Sequence, residues 1–396
     1  MPPWLIAVIV ALILAASLAR LWRLDLQPYW VDETWSLGVA SLALPDSLHT
    51  IKSEIHPPTF QLILWGWIRI GGVEPEWTRL LSAVFGVAGV WLAYWLLRAS
   101  PFPLGLRLIW VASVAVSGFA IVYSQDVRSY SLAWLAAVAL TAMTLRMCVE
   151  PHPPGRAVMV SWVLWGAIGS GIHLFNTLLV LCAAIAIGLR WRRRIALLSA
   201  LAALALMPQI LWLLLATLIA PGFAGGSSWI PAPTVADVTE GLTTLFAVDG
   251  LHHTARGFAW GSPAALVILG ILTVSLASAT LLQRKRGTLA APTEDEAFAW
   301  VAARVLATML GAALLIAFVV SQVVHVWTVR NLIVLQPAAA WSVAAVLFAF
   351  ASRLRWANVL VAVIVGLLAL NLTGILVNMS GPYKPPSTLT VHFEDD

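Results

Sequence analysis

Residues 190–218 read RWRRRIALLSALAALALMPQILWLLLATL. No residue from Ile195 to Leu218 is charged. At about 1.5 Å per helical residue the run is long enough to cross about 30 Å of hydrocarbon. The four arginines ahead of it stay on the cytoplasmic side of a membrane. One short stretch thus reads as a span with an orientation.

Working outward, comparable apolar runs lie near 4–22, 77–97, 107–122, 129–147, 157–172, 174–190, 262–283, 298–321, 331–351 and 356–377. The first is read as a retained anchor rather than a removed signal peptide. Arg98 and Arg107, Arg146 and Arg156, Arg284 to Arg286, and Arg353 with Arg355 join Arg190 to Arg194 on alternate junctions, which together hold 13 of the 23 basic residues. These junctions face the cytoplasm. The opposite face then carries 23–76, 123–128, 173–176, 219–261, 322–330 and the tail from 378. Eleven crossings put the N-terminus inside and the C-terminus outside.

The run Pro58–Gly71 is apolar, short and carries Arg69. If it crossed, every junction downstream would invert and RWRRR would face outward. It is therefore read as an interfacial or re-entrant helix anchored by Trp65 and Trp67, with twelve spans as the alternative if 57–71 crosses. The expected fold is all-α and polytopic, with one transmembrane domain over 1–377, outer loops 23–76 and 219–261, and a short outer tail 378–396.

Composition agrees. Of 396 residues, 61% are hydrophobic and only 10% charged, which excludes an ordinary soluble domain. The 21 Trp suit many membrane interfaces. Cys148 and Cys182 both sit in apolar runs, so neither a disulfide framework nor a cysteine metal site is available. The net charge of +5 is sorted by membrane side and implies no nucleic acid.

Ionisable residues at or below a membrane interface are costly and point to function. Asp32 and Glu33 stand side by side in YWVDETWSLGVA; Glu54 and His56 precede Pro57-Pro58; YSQDVRSYSL holds Gln125, Asp126, Arg128 and Tyr130; GIHLFNTL holds His173 and Asn176; HVWTVRNLIVLQP holds His325, Arg330 and Asn331. Four separate outer junctions supply carboxylates, imidazoles and guanidiniums at one depth, which suggests a single polar cavity. A carboxylate there can take a proton from a hydroxyl, and arginines at helix starts can hold a phosphate. Adjacent residues on a helix point about 100° apart, so Asp32 and Glu33 would do different jobs. Plainer readings exist for each residue. Asp32 and Glu33 could cap an interfacial helix beginning near Thr34. Arg128 could pair with Asp126 or snorkel, and each His could be an interfacial residue. Gly222–Ser228 reads as a flexible loop, and His252-His253 is too little for a metal site.

The order of these motifs resembles the GT-C type membrane glycosyltransferases, specifically the family 39-like group that includes protein O-mannosyltransferases and lipid A aminoarabinose transferases. Asp32-Glu33, His56-Pro57-Pro58 and Ser124-Gln125-Asp126-Val127-Arg128-Ser129-Tyr130 carry the resemblance, with weaker support from Arg330 and Pro337 downstream of His325. It covers residues 1–190 best. The resemblance implies inverting transfer of a single sugar from a polyprenyl-phosphate donor to a hydroxyl of a lipid or membrane-near glycan, on the extracytoplasmic face of a bacterial inner membrane. It implies Asp32 as the base and Asp126 as a second carboxylate. Glu33, His56, Gln125, Arg128, Tyr130, His173, His325 and Arg330 would bind substrate or its phosphate. Asp126 departs from a more usual Glu, and Asn331 stands where Tyr is frequent. The aminoarabinose transferases bind zinc through a Glu and a His; Glu54, His56 and His173 are the candidates here for a divalent metal, which the chemistry does not require. The loop 219–261, with Trp229, Asp237, Glu240, Asp249, His252 and His253, is expected to act as an acceptor lid. The rival reading, a transporter or flippase of lipid-linked sugars, would put charges near the midplane and repeat one half in the other.

Overall fold

A computed structural model describes residues 2–26, 28–52, 54–149, 154–219, 230–246 and 293–351, with seven helical positions between 362 and 376. Spans expected at 262–283 and over most of 356–377 lie outside the described residues, as do Arg353, Arg355, Gly222–Ser228, Trp229, Asp249, His252, His253 and the tail from 378.

All regular structure among the described residues is helical. In chain order the elements are α1 (Pro3–Ala19), α2 (Val31–Ser41), α3 (Leu44–Ile51), α4 (Thr59–Gly71), α5 (Pro75–Leu97), α6 (Leu104–Ala115), α7 (Gly118–Tyr123), α8 (Tyr130–Val149), α9 (Arg156–Ser170), α10 (Leu174–Arg190), α11 (Ile195–Ile219), α12 (Val235–Phe246), α13 (Glu294–Ser321) and α14 (Gln336–Ala351). Short 3₁₀ turns, Arg192–Arg194 and Val329–Leu335, lead into α11 and α14. Five described stretches are long and apolar enough to cross a membrane, and Pro3–Ala19, Leu104–Ala115 and Leu174–Arg190 are shorter apolar helices. The chain is an all-α polytopic membrane protein.

Helix α8 is apolar on every side and almost wholly buried, as an all-round hydrophobic helix must be. It is packed by α5, α9, α10, α13 and α14. Helix α11, which follows the RWRRR cluster, is largely exposed and presents Leu204, Leu211, Leu214 and Leu218 outward, as a lipid-facing helix does. Trp110 of α6 and Trp341 of α14 join two spans reciprocally: each indole N–H donates to the other residue's carbonyl, at 2.9 and 3.0 Å. Such bonds satisfy buried donors that lipid cannot.

Two elements differ from the sequence expectation. The run 107–122 is broken at Val116–Ser117 into α6 and α7, where the Ser117 hydroxyl caps the new helix by accepting from Ala120 N–H. The run from 331 starts as a 3₁₀ turn, in which the Asn331 side chain donates to the carbonyl of Val326.

The segment 57–71 forms α4, which has 13 residues and is tied at both ends to neighbouring junctions. At its start, Thr59 Oγ1 donates to the carbonyl of Gly171. At its end, Arg69 donates to the carbonyls of Ala40 and Leu42 at the close of α2 and stacks 3.5 Å from the Trp65 ring. Gly72, at φ 88°, turns the chain into α5. Trp67 and Trp77 then stack at 4.3 Å and exchange indole bonds to each other's carbonyls.

Candidate functional site

The site is built on the first turn of α2. Asp32 and Glu33 lie within that turn, with Trp30 before it as the N-cap, so the helix begins at Val31 rather than near Thr34. Both carboxylates stabilise the helix start, and helical geometry then sends them to different partners.

Glu33 turns inward. Its carboxylate takes a two-pronged grip from Arg79 of α5, Nε to Oε1 at 2.8 Å and Nη2 to Oε2 at 2.7 Å. It also accepts from the backbone N–H of Val127 at 3.1 Å and of Trp30 at 3.3 Å. Arg79 further donates to the carbonyls of Leu24 and Pro28. Glu33 is 1% exposed, and four donors occupy its oxygens. Its place is therefore structural: it locks α2, the 24–28 turn, α5 and the 126–128 loop together. The expected substrate contact at Glu33 has no room.

Asp32 turns outward. Its Oδ2 lies 2.5 Å from Nη1 of Arg330, which the 3₁₀ turn before α14 presents. The two side chains keep 22% and 15% exposure, so a ligand can reach both. The ring of Trp30 lies 5.7 Å from the Arg330 guanidinium.

Asp126, in the turn between α7 and α8, is buried and accepts from the Trp30 indole N–H at 2.9 Å. Burial, joined by the negative charge of Glu33, raises its carboxyl to about 7, against the Trp30 bond and Arg128. It therefore exchanges a proton near neutrality. Arg128 donates to Ser36 Oγ at 3.1 Å and lies 5.5 Å from the Trp35 ring. Tyr130 is buried at the start of α8, edge-on to Tyr123 and within electrostatic reach of Arg128, Arg330 and Asp32.

His56 and His173 stack face to face, with ring centres 4.1 Å apart. His56 Nδ1 accepts from Leu174 N–H and His173 Nδ1 from Phe175 N–H, so the pair caps the start of α10. Burial, reinforced by Arg128 and Arg330, lowers His56 to about 3. Burial and the neighbouring His56 hold His173 well below its usual range. Both rings are neutral and carry their proton on Nε2. To bind a metal there, each would have to move that proton to Nδ1 and give up its backbone bond. Among the described residues no group of three His, Cys, Asp or Glu side chains is arranged to hold a metal ion. Glu54 lines a narrow cleft with Trp35, His56, Phe60, Gln61 and Arg128. Burial lifts its carboxyl, Arg128 opposes that rise, and Asp32 adds to it.

Two expected site residues stand apart. Gln125 donates its amide to the carbonyls of Ala19, Arg20 and Trp22, closing the end of α1 rather than facing a ligand. His325 is half-buried in the turn before Arg330, and no hydrogen bond or ion pair joins it to the cluster.

Sequence reasoning missed Trp30, Arg79 and Arg20. Arg20 is wholly buried and donates to the carbonyls of Ala16, Val114 and Ala115, tying α1 to the end of α6. Arg79 had a readable signal: it stands inside the apolar run 77–97, where a guanidinium must have a partner.

These features define a polytopic helical membrane protein with an ionic cleft at one set of span ends. No family model matches the chain, and no curated protein matches it. Among solved structures, the chain is similar to ArnT from Cupriavidus metallidurans in the apo state, at 14% identity over 94% of this chain and 77% of that one, with a TM-score of 0.41. The same enzyme bound to undecaprenyl phosphate is similar at 14% identity over 94% of this chain and 78% of that one, with a TM-score of 0.42.

Proposed function

We propose that this protein is a GT-C type membrane glycosyltransferase that moves one sugar, with inversion, from a polyprenyl-phosphate donor to a hydroxyl of a lipid or membrane-near glycan. The observation that carries this reading is the meeting of Asp32, Asp126, Arg128 and Arg330, from three distant parts of the chain, in one ionic cluster beside the cleft that Arg128 lines. Asp32, the more open carboxylate, takes the acceptor proton. Arg330 and Arg128 neutralise the departing lipid phosphate, with Tyr130 beside them. His56 lines the cleft as a neutral ring, with the buried His173 stacked against it. Asp126 lies buried behind the cluster, its carboxyl raised to about 7 by burial and the negative charge of Glu33. The cleft faces the extracytoplasmic side by the distribution of basic residues, which keeps RWRRR inside. The donor is then lipid-linked because nucleotide sugars are not found there.

The test is to incubate purified protein with a panel of polyprenyl-phosphate sugars and a membrane lipid extract, and to seek new glycosylated species by mass spectrometry. The expected result is one donor-dependent product that Asp32→Asn abolishes. A panel without product, or product undiminished in Asp32→Asn, overturns the reading.

A further inference from the structure

Trp30 meets the buried acid of the site directly and the open acid through its counter-ion: the indole donates to Asp126, and the ring lies 5.7 Å from the guanidinium paired with Asp32. Its backbone is pinned: the N–H donates to Glu33 Oε2, and the carbonyl accepts from Thr34 N–H at 3.0 Å and Thr34 Oγ1 at 3.1 Å. The indole is therefore placed by α2 itself and not by chance packing. Its N–H meets Asp126 Oδ1, while its face lies beneath the guanidinium that grips Asp32. An indole nitrogen only donates. Oδ1 of Asp126 then accepts in either protonation state, which favours Oδ2 as the place of the proton in the neutral acid.

We infer that Trp30 is a positioning residue with two separable jobs: its N–H selects the oxygen of Asp126 that exchanges a proton, and its ring face holds Arg330 in place for the donor phosphate. This rests on the transferase reading above. Asp126 is faced by Glu33 and Asp32 of α2, Arg79 of α5, Arg128 of its own turn and Tyr130 of α8. These charges stay when Trp30 is changed, so substitution removes only the neutral donor. The bond to the indole favours the anion, and its loss moves the titration of Asp126 upward.

The jobs separate in two variants. Trp30→Phe keeps the face and loses the N–H; Trp30→Leu loses both. Two readouts are taken: the pH profile of transfer with the thermal unfolding midpoint across the same pH range, and equilibrium binding of a polyprenyl phosphate in detergent. Trp30→Phe should move the Asp126 midpoint up by about one pH unit, a tenfold change in ionisation, with lipid-phosphate binding within about twofold of wild type. Trp30→Leu should show the same shift and bind the lipid phosphate about threefold more weakly than Trp30→Phe. An unmoved midpoint in Trp30→Phe overturns the first job. Equal binding by Phe and Leu variants overturns the second. Should Trp30→Phe fail to fold, Trp30→Leu carries the shift, and Trp30→Gln, which restores a neutral N–H, must return the midpoint toward wild type. Asp126→Asn in the wild-type background must remove the titration, and a titration that persists there sinks the proposal. A wild-type protein that binds the lipid phosphate but transfers nothing sinks the transferase reading alone, because unfolding and binding still report on Trp30.

Discussion

Asp32 and Arg330 are 298 residues apart in the chain and 2.5 Å apart across the cleft. In the proposed reaction, the guanidinium that would hold the lipid phosphate is also the counter-charge of the carboxylate that would act as base. A donor phosphate that draws Arg330 away leaves Asp32 uncovered as its acceptor arrives. Asp32→Asn should cost about 10²–10⁴ in turnover, the range for removal of a general base, and leave donor binding intact. Turnover and lipid-phosphate binding measured on the same preparation check both halves of that statement.

The buried Glu33–Arg79 pair calls for a different response. Removing one partner leaves a charge without its counter-ion in a dry interior, which costs about 3–5 kcal/mol. Arg79→Ala and Glu33→Ala should each lower the thermal unfolding midpoint markedly, well beyond the change in Asp32→Asn. Their losses should be far from additive in the double variant, since both break one contact. Equal stability of wild type and Glu33→Ala would contradict the structural place given to this carboxylate.

Asp126 makes stability depend on pH in a defined direction. Its folded value, near 7, lies above the unfolded value of about 3.9, so the folded state binds more protons between those limits. This contribution is fully present below about pH 4 and is lost as pH rises through about 7, with a slope of at most about 1.4 kcal/mol per unit. His56, held down at about 3, acts oppositely and penalises the fold as pH falls below about 6.5. Asp126→Asn should flatten the first dependence and leave the second, as thermal unfolding from pH 4 to 8 will show.

Arg128 donates to Ser36 and faces Trp35, leaving it tethered but able to meet an anion. Arg128→Ala should weaken lipid-phosphate binding by about 10- to 100-fold, as expected for a lost charge-assisted bond, and affect the acceptor less. Titration of each substrate separately distinguishes the two.

Orientation can be read with two cysteines. Val73, exposed at the α4–α5 turn, lies on a junction that the distribution of basic residues reads as outward, and Arg193 on one read as inward. In intact cells an impermeant maleimide should label Val73→Cys and spare Arg193→Cys until lysis. The reverse pattern would invert the topology.

The all-helical, membrane-spanning architecture was legible because hydropathy decides which segments leave water. The short reach of 57–71 was legible for the same reason, with Arg69 as the cue. The break at Val116–Ser117 and the 3₁₀ start at Val329 were not legible, since both are set by local side-chain hydrogen bonds. What the sequence could not separate was Asp32 from Glu33: both are acidic, adjacent and next to the same Trp. Only the arrival of Arg79 from one side and Arg330 from the other assigns one to the interior and one to the cleft. Gln125 misled because its motif neighbours Asp126 and Arg128 line the cleft, while its own amide closes the end of α1. Trp30 passed unnoticed because an interfacial Trp has an ordinary explanation as a membrane anchor, and its bond to Asp126 spans 96 residues.

The distance along the chain between Asp32 and its counter-charge also bears on biogenesis. At about 5–20 residues per second, Arg330 leaves the ribosome roughly 15–60 s after Asp32. Until then the nascent helices sit in the bilayer with that acid unmatched, and a message cut short anywhere before Arg330 yields a chain whose cleft never closes. Quality control that senses an unpaired acid at the outer membrane face would thus find in this one residue a marker of incomplete synthesis.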